Sequence, residues 1–294
     1  IGELALEAGL PPGVLNILPG PGATAGAAMV RHPGVDKITF TGSTEVGKEI
    51  MREAAATVKK VTLELGGKSP NIVFADADLD AALRGATLGI FYGKGEVCAA
   101  GSRLLVEKPI YEEFVGKLAE RAKKMVPSDP LDPKSRLGSL VSKAQMDKVL
   151  AYIETGVKEG AQLVAGGQRQ PVNGKGAFVQ ATVLAGVDNR MRVAQEEIFG
   201  PVLAVIPFDG VDDAVAKAND VMYGLASGVW TRDLKKAHTV ARRLAAGTVW
   251  VNMYNFYDPG MPFGGVKSSG FGRDLGEACL HEYTQVKSVW VNLE

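Results

Sequence analysis

In the segment GKGEVCAAGSR a cysteine, Cys98, stands among small residues, and its side chain is the one in this chain best suited to making and breaking a covalent bond. The flanking glycines and alanines leave room for a substrate to come close. A thiol there becomes a nucleophile if a helix end or a neighbouring base turns it into thiolate, whereas the same thiol sealed in the core would be inert. Glu64 closes the apolar run of VTLELGGKSP, immediately ahead of Gly66 and Gly67. A carboxylate at the carboxyl end of a strand faces the crevice where α/β proteins bind ligands, and burial there lifts its pKa towards that of a general base. Paired instead with Lys59, Lys60 or Lys68, it would be an ordinary surface charge.

A third segment, ITFTGSTEVGKEIM, passes from a β-rich run into a helical pattern, with Gly42 and Gly47 on either side of the turn. That geometry aims free backbone N–H groups and the positive end of a helix dipole at one spot, where an anion such as a dinucleotide pyrophosphate can sit. Ser43 and Thr44 add hydroxyl donors, or simply cap the helix. In QEEIFGPV, Glu196 and Glu197 stand side by side in an apolar setting and need partners, either sugar hydroxyls or lysines and backbone amides. The glycine-rich run MPFGGVKSSGFGRDLG reads as structural, Cys279 reads as a core residue of a helix, and His32, His238 and His281 lack metal-ligand spacing, so no metal is expected.

These residues need a scaffold, and its class is α/β, because short β-branched runs alternate with longer segments of helical period. Strands are expected at 14–18, 37–41, 58–63, 71–74, 103–106, 202–208, 226–230 and 248–252. Helices are expected at 45–56, 79–91, 110–125, 142–159, 211–218 and 234–244. In the fourth of these helices Met146, Val149, Ile153 and Val157 form one apolar stripe, which reads as a core face. Gly66 and Gly67 interrupt the apolar pattern, so a domain boundary is expected near 65–68.

With 46% hydrophobic residues in 294, the chain can bury a substantial core. Lysine plus arginine equals aspartate plus glutamate at 33 each, which leaves no basic face for nucleic acid. The longest uncharged run, 9–30, contains Pro11, Pro12, Pro19 and Pro21, so no membrane span is expected. Two cysteines suit a reducing cytoplasm. The opening at Ile1, without methionine or secretory signal, suggests a sequence that starts inside a larger fold.

Taken in order, FTGSTEVG, LELGGKSP, GEVCAAGSR, EEIFGPV and PFGGVKSSGFGRDLG resemble the aldehyde dehydrogenase superfamily, and TQVKSVWVNL is similar to its C-terminal strand. The resemblance implies a partial Rossmann-type cofactor domain over 1–65, a catalytic thiol domain over 66–267 and a C-terminal segment with an oligomerisation strand over 268–294. It also implies oxidation of a small-molecule aldehyde with NAD or NADP, in a homo-oligomer, dimer or tetramer, with no nucleic-acid or membrane partner. Cys98 would form the thiohemiacetal and then the thioester, and Glu64 would activate the hydrolytic water. Gly42, Ser43, Thr44, Glu45, Val46, Gly47 and Leu65 would lie along the cofactor, with Glu197 on the nicotinamide ribose and Phe199 beside its ring. The backbone N–H of Cys98 would supply half of an oxyanion hole. Glu96 stands where the family more often has glutamine, and about two-fifths of the usual family length is missing ahead of Ile1. Two alternatives follow from that length: a cofactor-free esterase using the same cysteine and glutamate, or a non-catalytic assembly fragment. Tyr254, Phe256 and Tyr257 are candidates for the mouth of the aldehyde pocket.

Overall fold

The computed structural model describes residues 1–294. Helix α1 (Gly2–Glu7), a single π turn and helix α2 (Ala27–Arg31) lead into strand β1 (Lys37–Thr41), helix α3 (Thr44–Ala55) and strand β2 (Lys60–Glu64). Strand β3 (Pro70–Val73), helix α4 (Leu79–Phe91), strand β4 (Arg103–Glu107), helices α5 (Tyr111–Lys124) and α6 (Lys143–Lys158) and strands β5 (Gln162–Ala165) and β6 (Thr182–Ala185) follow. Then come helix α7 (Arg192–Gln195), strand β7 (Val202–Phe208), helix α8 (Gly210–Asn219), strand β8 (Ala226–Trp230), helix α9 (Leu234–Arg243) and strand β9 (Thr248–Val251). Strand β10 (Gly270–Phe271) and helix α10 (Ala278–Tyr283) close the series.

Two sheets result, so the α/β expectation holds. The smaller runs β1-β2-β10, and the larger runs β5-β6-β7-β4-β3-β8-β9. All neighbours in the larger sheet are parallel except β5 with β6. The chain crosses from one sheet to the other between Glu64 and Pro70, yet β10 returns to pair with β2, Gly270 opposite Glu64.

Period-2 alternation explains why the larger sheet is covered on both faces. Val73, Leu104 and Val106 point into a core shared with α4 and α5, while Ile72, Phe74 and Leu105 point into the opposite core with α6, α8 and α9. Helix α4 begins where Asp78 accepts a hydrogen bond from the Ala81 N–H, a side-chain cap of the usual kind. It can lie close to the sheet because Gly85 faces Trp230, whose ring a Cβ would overlap at 2.0 Å.

Several expectations are corrected. Residues 14–18 form no strand and lie exposed, because the surrounding prolines and glycines hold that stretch in turns. Val58 has φ of 55° and belongs to the turn ahead of β2, which starts at Lys60. Val157 is 44% exposed, so the apolar stripe of α6 ends at Ile153. Cys279 is only half-buried, on a helix with no buried residue. The expected oligomerisation strand within 268–294 is not among these corrections: residues 284–294 pair with no strand of this chain, and Val289, Trp290 and Leu293 are exposed. No helix is long and apolar enough to cross a membrane.

Candidate active site

The two sheets are joined by the short segment between β2 and β3. Glu64 and the 42–47 turn lie at the carboxyl ends of β2 and β1, whereas Cys98 and Glu197 lie just ahead of β4 and β7, at the amino ends of the larger sheet. The junction is crossed by Leu65, Gly66, Gly67 and Lys68.

That short bridge has almost no room for side chains at its centre. A Cβ on Gly66 would stand 2.4 Å from Glu197 Oε2, and one on Gly67 would stand 2.3 Å from the Cys98 carbonyl oxygen. Close approach to backbone, not a special φ, requires glycine at 67, whereas a side chain at 66 would have to displace the Glu197 carboxylate. The Gly67 N–H donates to Glu197 Oε1 at 3.0 Å. The Ser269 hydroxyl donates to the Gly66 carbonyl at 2.7 Å and accepts from the Gly224 N–H at 3.0 Å, tying the bridge to the loop ahead of β8.

Glu64 is 8% exposed and neither carboxylate oxygen has a hydrogen-bond partner. Of the three lysines expected as partners, Lys59 bonds to the carbonyls of His32 and Val35, Lys60 pairs with Glu282, and Lys68 is buried with no ion pair to Glu64. Burial pushes the Glu64 pKa up to about 7; the Asp274 charge adds to the rise and Arg273 opposes it. A buried carboxylate without donors keeps its proton to higher pH and stays basic once it loses it. The glycine-rich loop first taken as structural thus supplies the charges that tune Glu64, and its Arg and Asp were the signal available in the sequence.

Cys98 follows α4 through a left-handed turn, with φ of 56°, 53° and 72° at Gly93, Lys94 and Gly95. A turn closed by the Ala100 N–H on the Val97 carbonyl at 3.0 Å then places Cys98 and Ala99 at its centre. Tyr254 locks this turn by donating its hydroxyl to the Ala99 carbonyl at 2.9 Å. It is buried against Trp250, ring centroids 4.8 Å apart, so it packs beneath the nucleophile loop and does not line the mouth. Phe256 and Tyr257 are the exposed aromatics there. Glu96 buckles the same loop to the start of α6, accepting from the Val141 N–H at 3.1 Å and pairing with Lys94 Nζ at 3.1 Å.

The thiol itself is half-buried, and burial pushes its pKa up. The Glu64 charge pushes the same way, and the Ala99 N–H pulls back. No helix N-terminus activates it, since it lies beyond the C-terminal, negative end of α4.

Gly42, Ser43, Thr44, Glu45, Val46 and Gly47 form the entry to α3. The Gly42 N–H donates to the Glu64 carbonyl at 3.0 Å, joining this turn to the strand that carries the base. Ser43 caps the helix through the Val46 N–H at 3.3 Å, and Thr44 donates to the Ser268 carbonyl at 3.2 Å. Gly47 lets α3 approach Leu65, whose Cδ2 a Cβ would meet at 2.6 Å. Of the N–H groups in the first helical turn, that of Val46 is taken by Ser43, while those of Thr44 and Glu45 have no partner within the helix.

Glu196 and Glu197 part company. Glu196 turns outwards to Arg192 at 2.9 Å and to the Tyr152 hydroxyl at 2.6 Å, whereas Glu197 turns inwards to Gly67. Phe199 adopts φ of 57°, a sparsely populated conformation for a bulky residue. It is held there by Gln145, whose Nε2 donates to the carbonyls of Ile198 and Phe199. A cavity of about 10 Å³ lined by Gly67, Val97, Glu197 and Phe199, among others, joins this turn to the loop of Cys98. No group of residues is arranged to hold a metal.

Sequence reading missed three contributors: Tyr254 as a prop, Arg103 as a buried clamp and Lys68 as a buried amine whose pKa burial pushes down to about 7. Arg103 is fully buried and donates to the carbonyls of Lys68 (2.9 Å), Lys217 (2.9 Å) and Ala218 (2.7 Å) and to Asn189 Oδ1 (3.0 Å).

A family model described as "Aldehyde dehydrogenase family" matches residues 1–289. Aldehyde dehydrogenase 1A1 of Gallus gallus is 54% identical over 294 residues, which is 100% of this chain and 57% of that protein. Retinal dehydrogenase 2 of Homo sapiens is 51% identical over 100% of this chain and 56% of its own length. A solved NAD+ complex of an aldehyde dehydrogenase from Bacillus cereus superposes with a TM-score of 0.97 at 51% identity, over 99% of this chain and 59% of that one. The chain thus spans somewhat under three-fifths of these relatives.

Proposed function

The chain belongs to the aldehyde dehydrogenase family, and from that premise we propose that it oxidises an aldehyde to a carboxylic acid with NAD, Cys98 acting as nucleophile and Glu64 as base. The observation that carries this reading is the pairing of a half-buried thiol with a buried carboxylate that has no hydrogen-bond partner and titrates near 7.

Cys98 Sγ bonds to the aldehyde carbon as the thiol proton is lost, and Glu64 is the group placed to take that proton and release it to solvent. The Cys98 N–H, which donates to no backbone carbonyl, is free to face the oxygen of the resulting thiohemiacetal. The residues present fit a dinucleotide: a capped helix N-terminus made accessible by Gly42 and Gly47, Leu65 beside it, and Glu197 with Oε2 uncommitted. Bound NAD would supply the acceptor for the hydride that leaves the thiohemiacetal carbon, held by the 43–47 turn, Glu197 and Phe199. What stays on Cys98 is a thioester. Glu64 then takes a proton from water, the oxygen attacks the acyl carbon, the carbon–sulfur bond breaks, and the acid departs while the thiolate regains its proton.

Both cysteines are free, which suits a reducing, cytoplasmic setting in which the nucleophile stays available. Assembly of copies belongs to the same reading and is supported by the exposed apolar side chains of Val286, Val289, Trp290, Val291 and Leu293 at the C-terminal end.

The test is aldehyde-dependent NADH formation over a panel of aliphatic and aromatic aldehydes, with Cys98→Ala as control. Turnover abolished by the substitution supports the reading. Nitrophenyl ester cleavage that needs Cys98 and ignores NAD, without NADH formation from any aldehyde, would replace it with the esterase.

A further inference from the structure

Three segments distant in the sequence close into a triangle beside Cys98. The loop ahead of the thiol touches the turn that follows Glu197 and Phe199: a Cβ on Gly95 would stand 2.2 Å from the Gly200 carbonyl oxygen. That turn is fastened to α6, since Gln145 Nε2 donates to the carbonyls of Ile198 (3.0 Å) and Phe199 (2.7 Å). Gly200 lies against the same helix, where a Cβ would stand 2.5 Å from Val149 Cγ2. Glu96 makes the third side. Its Oε1 accepts from the Val141 N–H at 3.1 Å, one residue before the Ser142 cap of α6. Its Oε2 pairs with Lys94 Nζ at 3.1 Å, and the Glu96 side chain is only 5% exposed.

Of the three corners, α6 is the anchored one. Met146, Val149 and Ile153 are buried along it. The segment ahead of it is pinned to Ala177, whose carbonyl accepts from the Leu140 N–H at 2.9 Å and whose N–H donates to the Ser139 hydroxyl at 3.1 Å. The loop of Cys98 has weaker local support. It leaves α4 through three successive left-handed residues, and Lys94 among them is not a glycine, a conformation that persists only when the surroundings impose it. Glu96 is the side chain that holds Lys94 and α6 at once.

Resting on the reading of Cys98 as nucleophile and of the Glu197–Phe199 turn as the seat of the nicotinamide, we propose that Glu96 is a positioning residue that sets the distance between the two. Through Val141 it holds the thiol loop on the same helix to which Gln145 holds the turn. Glu96 touches no reacting atom and acts two residues before Cys98. A loop released from α6 displaces the sulfur, while the turn, still held by Gln145, keeps its place. A displacement of about 1 Å costs roughly 100-fold in turnover.

The experiment compares Glu96→Ala and Glu96→Gln with the parent chain in three readouts: kcat and KM with aldehyde and NAD, NAD affinity by calorimetry, and the rate at which iodoacetamide alkylates Cys98 in the cofactor-free chain, followed by peptide mass. Glutamine keeps an acceptor for the Val141 N–H and alanine does not. The proposal predicts a kcat roughly 100-fold lower in E96A, with KM for NAD and NAD affinity within about twofold of the parent. It predicts alkylation of Cys98 about fivefold faster or more in E96A, because the freed loop opens a half-buried thiol. Both values return to within a few-fold of the parent in E96Q. An unchanged alkylation rate or a parental kcat in E96A would overturn the proposal, as would a loss that E96Q shares in full or that NAD affinity matches. If E96A does not fold, Glu96→Asp, whose shorter side chain stops short of Val141, takes its place. If no chain forms NADH, the parent included, the reading of Cys98 chemistry falls, and the alkylation rates decide separately whether Glu96 holds the loop.

Discussion

The α-carbon of Gly67 lies against the carbonyl oxygen of Cys98 so closely that a Cβ would stand 2.3 Å away. The bridge between the sheets is therefore also the wall behind the nucleophile. Gly67→Ala must push the Cys98 turn outwards, away from the Tyr254 prop. A shift of about 1 Å costs roughly 100-fold in turnover. The expected result is that loss in kcat with far-ultraviolet circular dichroism unchanged, and a G67A variant of parental kcat would mean that the turn tolerates displacement.

Glu64 sets a pH window for both rate and stability. Activity that needs its carboxylate rises about tenfold per pH unit below 7 and levels off above it. Stability runs the other way. The folded-state pKa is raised, from 4.5 to about 7, so the stability tied to the protonated form is complete below 4.5 and is lost as pH climbs through 7. Glu64→Gln, which cannot ionise, should gain on the parent chain in thermal melts between pH 4.5 and 7, and a constant difference across that range would contradict the assignment.

The same carboxylate holds the Cys98 thiol up, second only to burial. In Glu64→Gln that charge is gone, so the pH midpoint for alkylation by iodoacetamide moves down. A midpoint that moves up would mean that Glu64 assists thiolate formation more than it opposes it.

Much of this arrangement was legible in the sequence, for identifiable reasons. Helix α4 was expected at 79–91, its observed span, because its apolar residues recur with helical period; the structure shows Asp78 capping its start. The 42–47 turn and Glu64 could be placed because strand ends and helix starts carry local signals. What stayed hidden depends on contacts distant along the chain. The short β5 and β6 lack a clear period, since β6 is buried on both faces and β5 is half-exposed. Tyr254 looked like a lining residue because nothing local reveals that its hydroxyl reaches Ala99, 155 residues away. The burial of Lys68, offered in the sequence only as a surface partner for Glu64, stayed hidden for the same reason, as did that of Arg103 at the start of β4.

Arg103 offers a test of the scaffold apart from chemistry. Replacing it with methionine leaves the carbonyls of Lys68, Lys217 and Ala218 and the Asn189 side chain without their donor. Buried acceptors stripped in this way cost about 1–3 kcal/mol each, so a loss of at least about 3 kcal/mol is expected in urea unfolding. A loss below about 1 kcal/mol would show that water reaches these carbonyls.

The most direct measurement on the central claim is the intact mass of the Glu64→Gln variant after exposure to an aldehyde and NAD. At alkaline pH, where the Cys98 thiol loses its proton without a base, only the base for water is missing, so the thioester should accumulate, adding the mass of the aldehyde less two hydrogens to Cys98, alongside a burst of one NADH per site. Absence of the adduct in a variant that still binds both ligands, or an adduct on any residue but Cys98, would contradict the account.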